Sequence, residues 1–178
     1  MRFISIDPSL RNTAIVWGEI KDGELIPEDY VLVRTDKSKN KGVRVASDTV
    51  RRARELMLEL KSTMNTIQPN ICFCEVPSGS KSSAAMKSYG ISCALIASMQ
   101  PKPIEVTPVE LKQKTVGNKT ASKEDMINWA EQNFPDFPFE KKKGVIIKTK
   151  AEHVADAIGA AYAGMQTEQF EQIIALTR

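Results

Sequence analysis

The chain has 178 residues, but only one histidine, three cysteines and no long apolar run. Each shortage closes off a class of function. The apolar stretches fall far short of the roughly 20 residues a membrane helix needs, so no membrane partner is expected. The N-terminal "MRFISIDPS" has neither the apolar core nor the small-residue cleavage site of a secretion signal. Three cysteines, two of them as Cys72-x-Cys74, make an odd number and fit a reducing, cytoplasmic compartment. Beyond that pair only Cys93 and the one histidine remain, so the four ligands of a structural zinc site are not at hand. The stretch "DPSLRN" after the first strand has no glycine, which argues against a phosphate-cradling loop and a sugar-kinase-like phosphotransferase. Repeats, low-complexity segments and linkers are also missing, so residues 1–178 are expected to form one domain.

What is present starts with lysine. The net charge of +3 says little, but its placement says more. Residues 112–123 carry four lysines and no acid, and residues 141–150 carry five lysines and no acid. A single lysine run reads as a solvated loop; two such stretches in one small domain fit a polyanionic partner equally well.

The pattern of elements reads as mixed α/β. "RFISID" (2–7) is a short apolar strand stopped by Asp7 and Pro8. Strands over 13–20 and 24–35 flank Asp22-Gly23, a hairpin turn signal, and Pro27 predicts a third strand that starts late or lies at an edge. A long helix follows, with Ala46, Val50, Ala53, Met57, Leu60, Met64 and Ile67 as its core stripe and Arg51, Arg52, Arg54, Glu55 and Glu59 opposite. Ser47 or Asp48 is its expected cap. "ICFCE" (71–75) is a fourth strand, residues 82–99 a helix rich in Ala, Ser and Gly, and "PIEV" (103–106) a fifth strand. Thr107-Pro108 and Ser122 open two further helices. After a lysine-rich loop, one last helix is expected over about 150–175. Three meandering strands and then alternating helices and strands give a mixed sheet with helices on both faces.

Asp7 and Glu75 each end an apolar strand. Parallel strands joined by a helical crossover place their carboxyl ends on one sheet edge, where ligands gather. Two such carboxylates about 4 Å apart repel by roughly 1–4 kcal/mol unless a proton, a base or a cation offsets them. In "EHVADAIGAA", His153 and Asp156 are three residues apart and share a helix face, continued by the small residues Ala157, Ala160 and Gly164. That face lets the helix lie close on a sheet. Beside the first strand it would carry His153 and Asp156 to Asp7 and Glu75, an oxygen-rich set suited to Mg²⁺ or Mn²⁺.

Four segments together, residues 4–20, 71–99, 103–126 and 151–164, resemble in order and spacing the motifs of the RuvC family of Holliday junction resolvases, within the ribonuclease H-like superfamily, its viral members included. The resemblance covers nearly the whole chain and implies a single nuclease domain. It implies a five-stranded mixed sheet, three antiparallel strands and then two parallel ones, flanked by helices. It implies an acidic tetrad at Asp7, Glu75, His153 and Asp156 that binds two Mg²⁺ or Mn²⁺ ions, with catalytic lysines at Lys112 and Lys123. Lys81, Lys112, Lys114, Lys119 and Lys123 are the expected DNA contacts, branched DNA the partner, and a homodimer built on helix 82–99 the assembly. For a viral member the compartment would be the host cytoplasm. Many members carry an aromatic residue shortly after the position of Glu75 to open the junction. "EVPSGSKSS" has none, so use of branched DNA beyond four-way junctions, including three-way junctions and flaps, is expected. The rival reading is a branched-DNA-binding protein that kept the fold and lost turnover.

Overall fold

The computed structural model describes residues 1–79 and 82–177. Strands β1 (Arg2–Asp7), β2 (Asn12–Lys21) and β3 (Glu24–Arg34) form the opening meander. Asp22 and Gly23 make its second turn, both with positive φ, as a tight hairpin requires. Helix α1 (Val45–Ile67), β4 (Ile71–Glu75), α2 (Ser83–Ala97) and β5 (Ile104–Val106) complete the sheet. Its order is β3-β2-β1-β4-β5, antiparallel from β3 to β1 and parallel from β1 to β5. The expected five-stranded mixed sheet is therefore the observed one. β3 lies at the edge, although it begins directly after the turn; Pro27 stands opposite Gly18 where the register shifts.

The sheet separates two cores. Phe3, Phe73, Ile104 and Val106 face α3 (Pro108–Thr115), α4 (Lys123–Asn133), α5 (Lys148–Gly164) and α6 (Glu168–Thr177). Ile4, Ile6, Ile15, Cys72 and Cys74 face α1 and α2 through Leu56, Leu60, Leu95 and Met99. Burial pushes the Cys72 and Cys74 thiols up to about 12, as befits small apolar packing residues rather than reactive thiols. Thr107 and Ser122 cap α3 and α4 through reciprocal hydrogen bonds with Glu110 and Asp125.

Four expectations are corrected. The buried face of α1 runs through Asp48, Arg52, Leu56, Leu60 and Thr63, while Ala46 and Val50 are exposed. Arg52 turns inward because its guanidinium finds acceptors there, donating to Thr35 Oγ1 and to the carbonyls of Leu10 and Thr35. The helix starts at Val45 without a side-chain cap; Asp48 instead accepts from the Ser38 N–H and from Arg51. The lysine-rich loop contains a small hairpin, β6 (Lys141–Lys142) and β7 (Val145–Ile146). The last helix is two, broken after Gly164, with Thr167 Oγ1 accepting the Phe170 N–H at the start of α6.

α5 is the element that positions the site. Ten of its 17 residues are buried, most of them Ala or Gly. A Cβ on Gly164 would fall 2.4 Å from Phe73 Cδ1, so only glycine lets the helix end this close to β4. Gly164→Ala is expected to destabilise the fold by about 1–3 kcal/mol, the usual range for overpacking, as read from urea unfolding.

Candidate active site

Side-chain alternation decides where the two strand-end acids point. In β1, Phe3 shares a face with Ser5 and Asp7; in β4, Ile71 and Phe73 share one with Glu75. Both faces look toward α5. The parallel register sets Ile6 opposite Cys74, so Asp7 and Glu75 stand one residue further on, side by side on adjacent strands. Ser5 Oγ donates to the Ala157 carbonyl at 2.6 Å and pins α5 across β1. Toward the helix start this brings His153 Nδ1 to 2.6 Å from Asp7 Oδ2. The two side chains are only 19% and 15% exposed.

The imidazole is held from its other side too. Asn12 Nδ2 lies 3.3 Å from His153 Nε2, and Glu152 Oε1 lies 3.4 Å from the same nitrogen. With Asp7 as acceptor, a neutral His153 keeps its proton on Nδ1 and its lone pair on Nε2. Asn12 Oδ1 is buried and has no hydrogen-bond partner among the described residues.

The electrostatics are those of crowded carboxylates. Burial, then the charges of Asp7 and Asp156, push Glu75 up to about 9 against the relief given by Lys112. Burial and the charge of Asp7 push Asp156 up to about 7, countered in part by His153 and Lys112. For His153, burial works against protonation, but the Asp7 hydrogen bond and the charges of Asp7, Glu152 and Asp156 outweigh it and raise its pKa. The charged carboxylates thus make the neighbouring acids harder to ionise and the imidazole easier to protonate. Among the described residues, however, no three His, Cys, Asp or Glu side chains converge on one point as a finished metal cage does.

The sequence matches no family model and no curated protein. The fold does have known counterparts. Thermus thermophilus RuvC, solved in complex with a Holliday junction substrate, superposes with a TM-score of 0.67 at 13% identity, over 93% of this chain and 96% of that one. The chain has the ribonuclease H-like fold of the RuvC resolvases. The fowlpox virus resolvase, solved with its substrate Holliday junction DNA, gives a TM-score of 0.58 at 14% identity, over 93% and 97% of the two chains. The yeast mitochondrial Holliday junction resolvase Ydc2 gives 0.58 at 12% identity, over 92% of this chain and 77% of that one.

On this RuvC-like frame the expected lysines divide. The charge of Lys112 reaches Glu75 and Asp156, so it faces the acids from α3. Lys123 Nζ, at the start of α4, pairs with Glu152 Oε2 at 3.0 Å. Lys114 and Lys119 are exposed and form no ion pair among the described residues. Lys81 lies outside the described residues. Among those described, no helix is long and apolar enough to cross a membrane.

Glu152 and Asn12 are the neighbours that sequence reasoning missed. Glu152 carried a usable signal, since it lies four residues before Asp156 on the same helix face. Asn12 carried none; only the fold of the turn from Ser9 to Thr13 brings it to the imidazole. Glu152→Gln removes one of the charges that favour protonated His153. The midpoint of the single imidazole is expected to move to lower pH, followed by NMR titration of its ring protons.

Proposed function

We propose that the chain is a divalent-metal-dependent endonuclease that cleaves Holliday junctions and other branched DNA. The observation that supports this most directly is Asp7 hydrogen-bonded to His153, with Glu75 and Asp156 both close enough for the charge of Asp7 to raise their pKa, at the carboxyl edge of a RuvC-like sheet. Carboxylates buried against their own repulsion are a donor set that a cation would relieve. Asp7, Glu75, His153 and Asp156 would hold two Mg²⁺ or Mn²⁺ ions. Bound there, such ions supply an activated water and stabilise the leaving oxygen of an in-line phosphodiester displacement.

The chain's own residues carry the rest. Asp7 fixes the His153 ring and its tautomer, which leaves Nε2 available as a donor atom. Lys112, already facing the acids, would neutralise charge that develops on the reacting phosphate. Lys123 would reach the backbone from beside Glu152, and Lys114 and Lys119 would add phosphate contacts further out. Helix α2 leaves Ala84, Ala85, Met86 and Gly90 exposed, mostly small residues that would let a second copy approach closely. A homodimer built there would present two sites for paired nicks in like strands. The whole chain would act as one nuclease domain.

Incubating labelled four-way, three-way, flap and linear DNA with the protein, in Mn²⁺, Mg²⁺ or chelator, tests this reading. Paired nicks in the junction with either metal, and none in chelator, are expected. Tight junction binding without cleavage in any metal would instead identify a non-catalytic binder.

A further inference from the structure

The second lysine stretch is not uniform. Lys141 pairs with Glu131 at 3.9 Å, Lys148 with Glu124 at 2.6 Å, and Lys150 Nζ donates to Glu140 Oε1 at 2.6 Å. Lys142 and Lys143 are exposed and have no acidic partner among the described residues. They sit at the end of the β6–β7 hairpin, where Lys141 is opposite Ile146 and Lys142 opposite Val145. The turn residues Lys143 and Gly144 have φ of 52° and 81°, the left-handed pair of a two-residue hairpin loop. Residues directly opposite share a face. Ile146 packs on the main core, so its face turns inward, and Lys142 with the exposed Val145 forms the outer face. The Ile147 N–H donates to the Glu140 carbonyl at 3.0 Å and closes the base. The two free ammonium groups are thus presented by a docked ribbon.

Its position follows from the course of α5. The helix crosses the sheet diagonally: Gly164 meets Phe73 and Ile104, Ala157 meets Ser5, which is level with Phe73, and His153 meets Asp7 at the carboxyl edge, while Lys150 lies beside Tyr30 and Arg34 of β3. The five residues from His153 back to Lys148 add about 8 Å at 1.5 Å each, which carries the helix start from β1 across toward β3. One residue, Ile147, separates the helix from β7. The hairpin therefore stands on the β3 side of the acids, its base at Glu140 beside Tyr30 and Leu32.

We propose that this hairpin is a second DNA-contact surface, which grips backbone phosphates of the duplex arm flanking the cut through Lys142 and Lys143. The proposal rests on the DNA-cleaving reading and adds a contact that the residues around the acids do not make. A polyanion is the partner whose charge complements two unpaired ammonium groups. A two-stranded ribbon also has the width of a DNA groove, and a fixed ribbon loses less entropy on binding than lysines on a loose loop.

The test is fluorescence anisotropy of a labelled four-way junction in chelator across a salt series, with thermal melting to confirm folding. Each phosphate neutralised contributes about 0.9 to the slope of log K against log salt, so Lys142→Ala/Lys143→Ala should make that slope shallower by about 2. Gly144→Val keeps every lysine but denies the turn its left-handed residue, and should reproduce most of that loss. A wild-type slope in either variant overturns the proposal, while metal-dependent cleavage by the same preparations leaves the nuclease reading standing. Failure of the wild-type protein to bind the junction would defeat both.

Discussion

Asp156→Asn is expected to lower junction cleavage by about 10³-fold, the scale of losing one preorganised charge-stabilising group, with binding in chelator within a few-fold of wild type. The two readouts separate because the contributing groups are separate. Asp156 is on the face of α5 that meets Asp7 and Glu75, whereas the phosphate contacts come from lysines on α3, α4 and the loops. Asparagine matches the shape of aspartate, so the close packing of α5 on β1 is kept and a folding defect is not the expected cause. Asp7→Asn should behave the same way and should also release His153, whose Nδ1 loses its charged acceptor. The assay is single-turnover cleavage in Mn²⁺ beside anisotropy in chelator. Wild-type cleavage by Asp156→Asn would remove the acids from the mechanism altogether.

The second large effect is on stability, and its sign follows from the direction of the pKa shifts. Glu75 is raised from 4.5 to about 9 and Asp156 from 3.8 to about 7, so between those limits the folded chain binds more protons than the unfolded one. Stability is then fully present below the unfolded values and is lost as pH rises through the folded ones. His153, also raised, contributes with the same sign. The metal-free protein should therefore melt at progressively lower temperature from about pH 4.5 to about 9. Glu75→Gln should flatten that decline, because the group with the largest shift no longer ionises. A cation bound among the acids should oppose the decline too, by about 2.7 kcal/mol at a hundredfold excess over Kd, with each kcal/mol worth about 2–4 °C in a chain of this size. Thermal melts with Mn²⁺ or Mg²⁺ at pH 5 and pH 8 check this; an equal gain at both pH values would show that the ions bind elsewhere.

The sheet was legible because its signals are local. An apolar run stopped by an acid, the Asp22-Gly23 turn and the caps Thr107 and Ser122 each depend on a few adjacent residues, and each appears in the structure as read. The face of α1 was misread because periodicity counts apolar residues and has no way to know that buried acceptors await Arg52. The break after Gly164 was missed because Ala and Gly continue the helical pattern while the cause, a glycine pressed on Phe73 and a Thr167 cap, lies partly in another element. The β6–β7 hairpin was hidden under its lysines, which read as a solvated loop.

By itself the sequence determined the strand ends at Asp7 and Glu75, the shared helix face of His153 and Asp156, and the small residues that let that helix come close. These follow from the periods of strand and helix, which are properties of the chain over a few residues. Tertiary structure alone decided that Asp7 and not Glu75 holds the imidazole, that Glu152 and Asn12 flank it, and that two of the five lysines over 141–150 have no acidic partner among the described residues. Such facts depend on distances between separate elements, 146 residues apart in the case of Asp7 and His153, and short-range chain geometry does not set those distances.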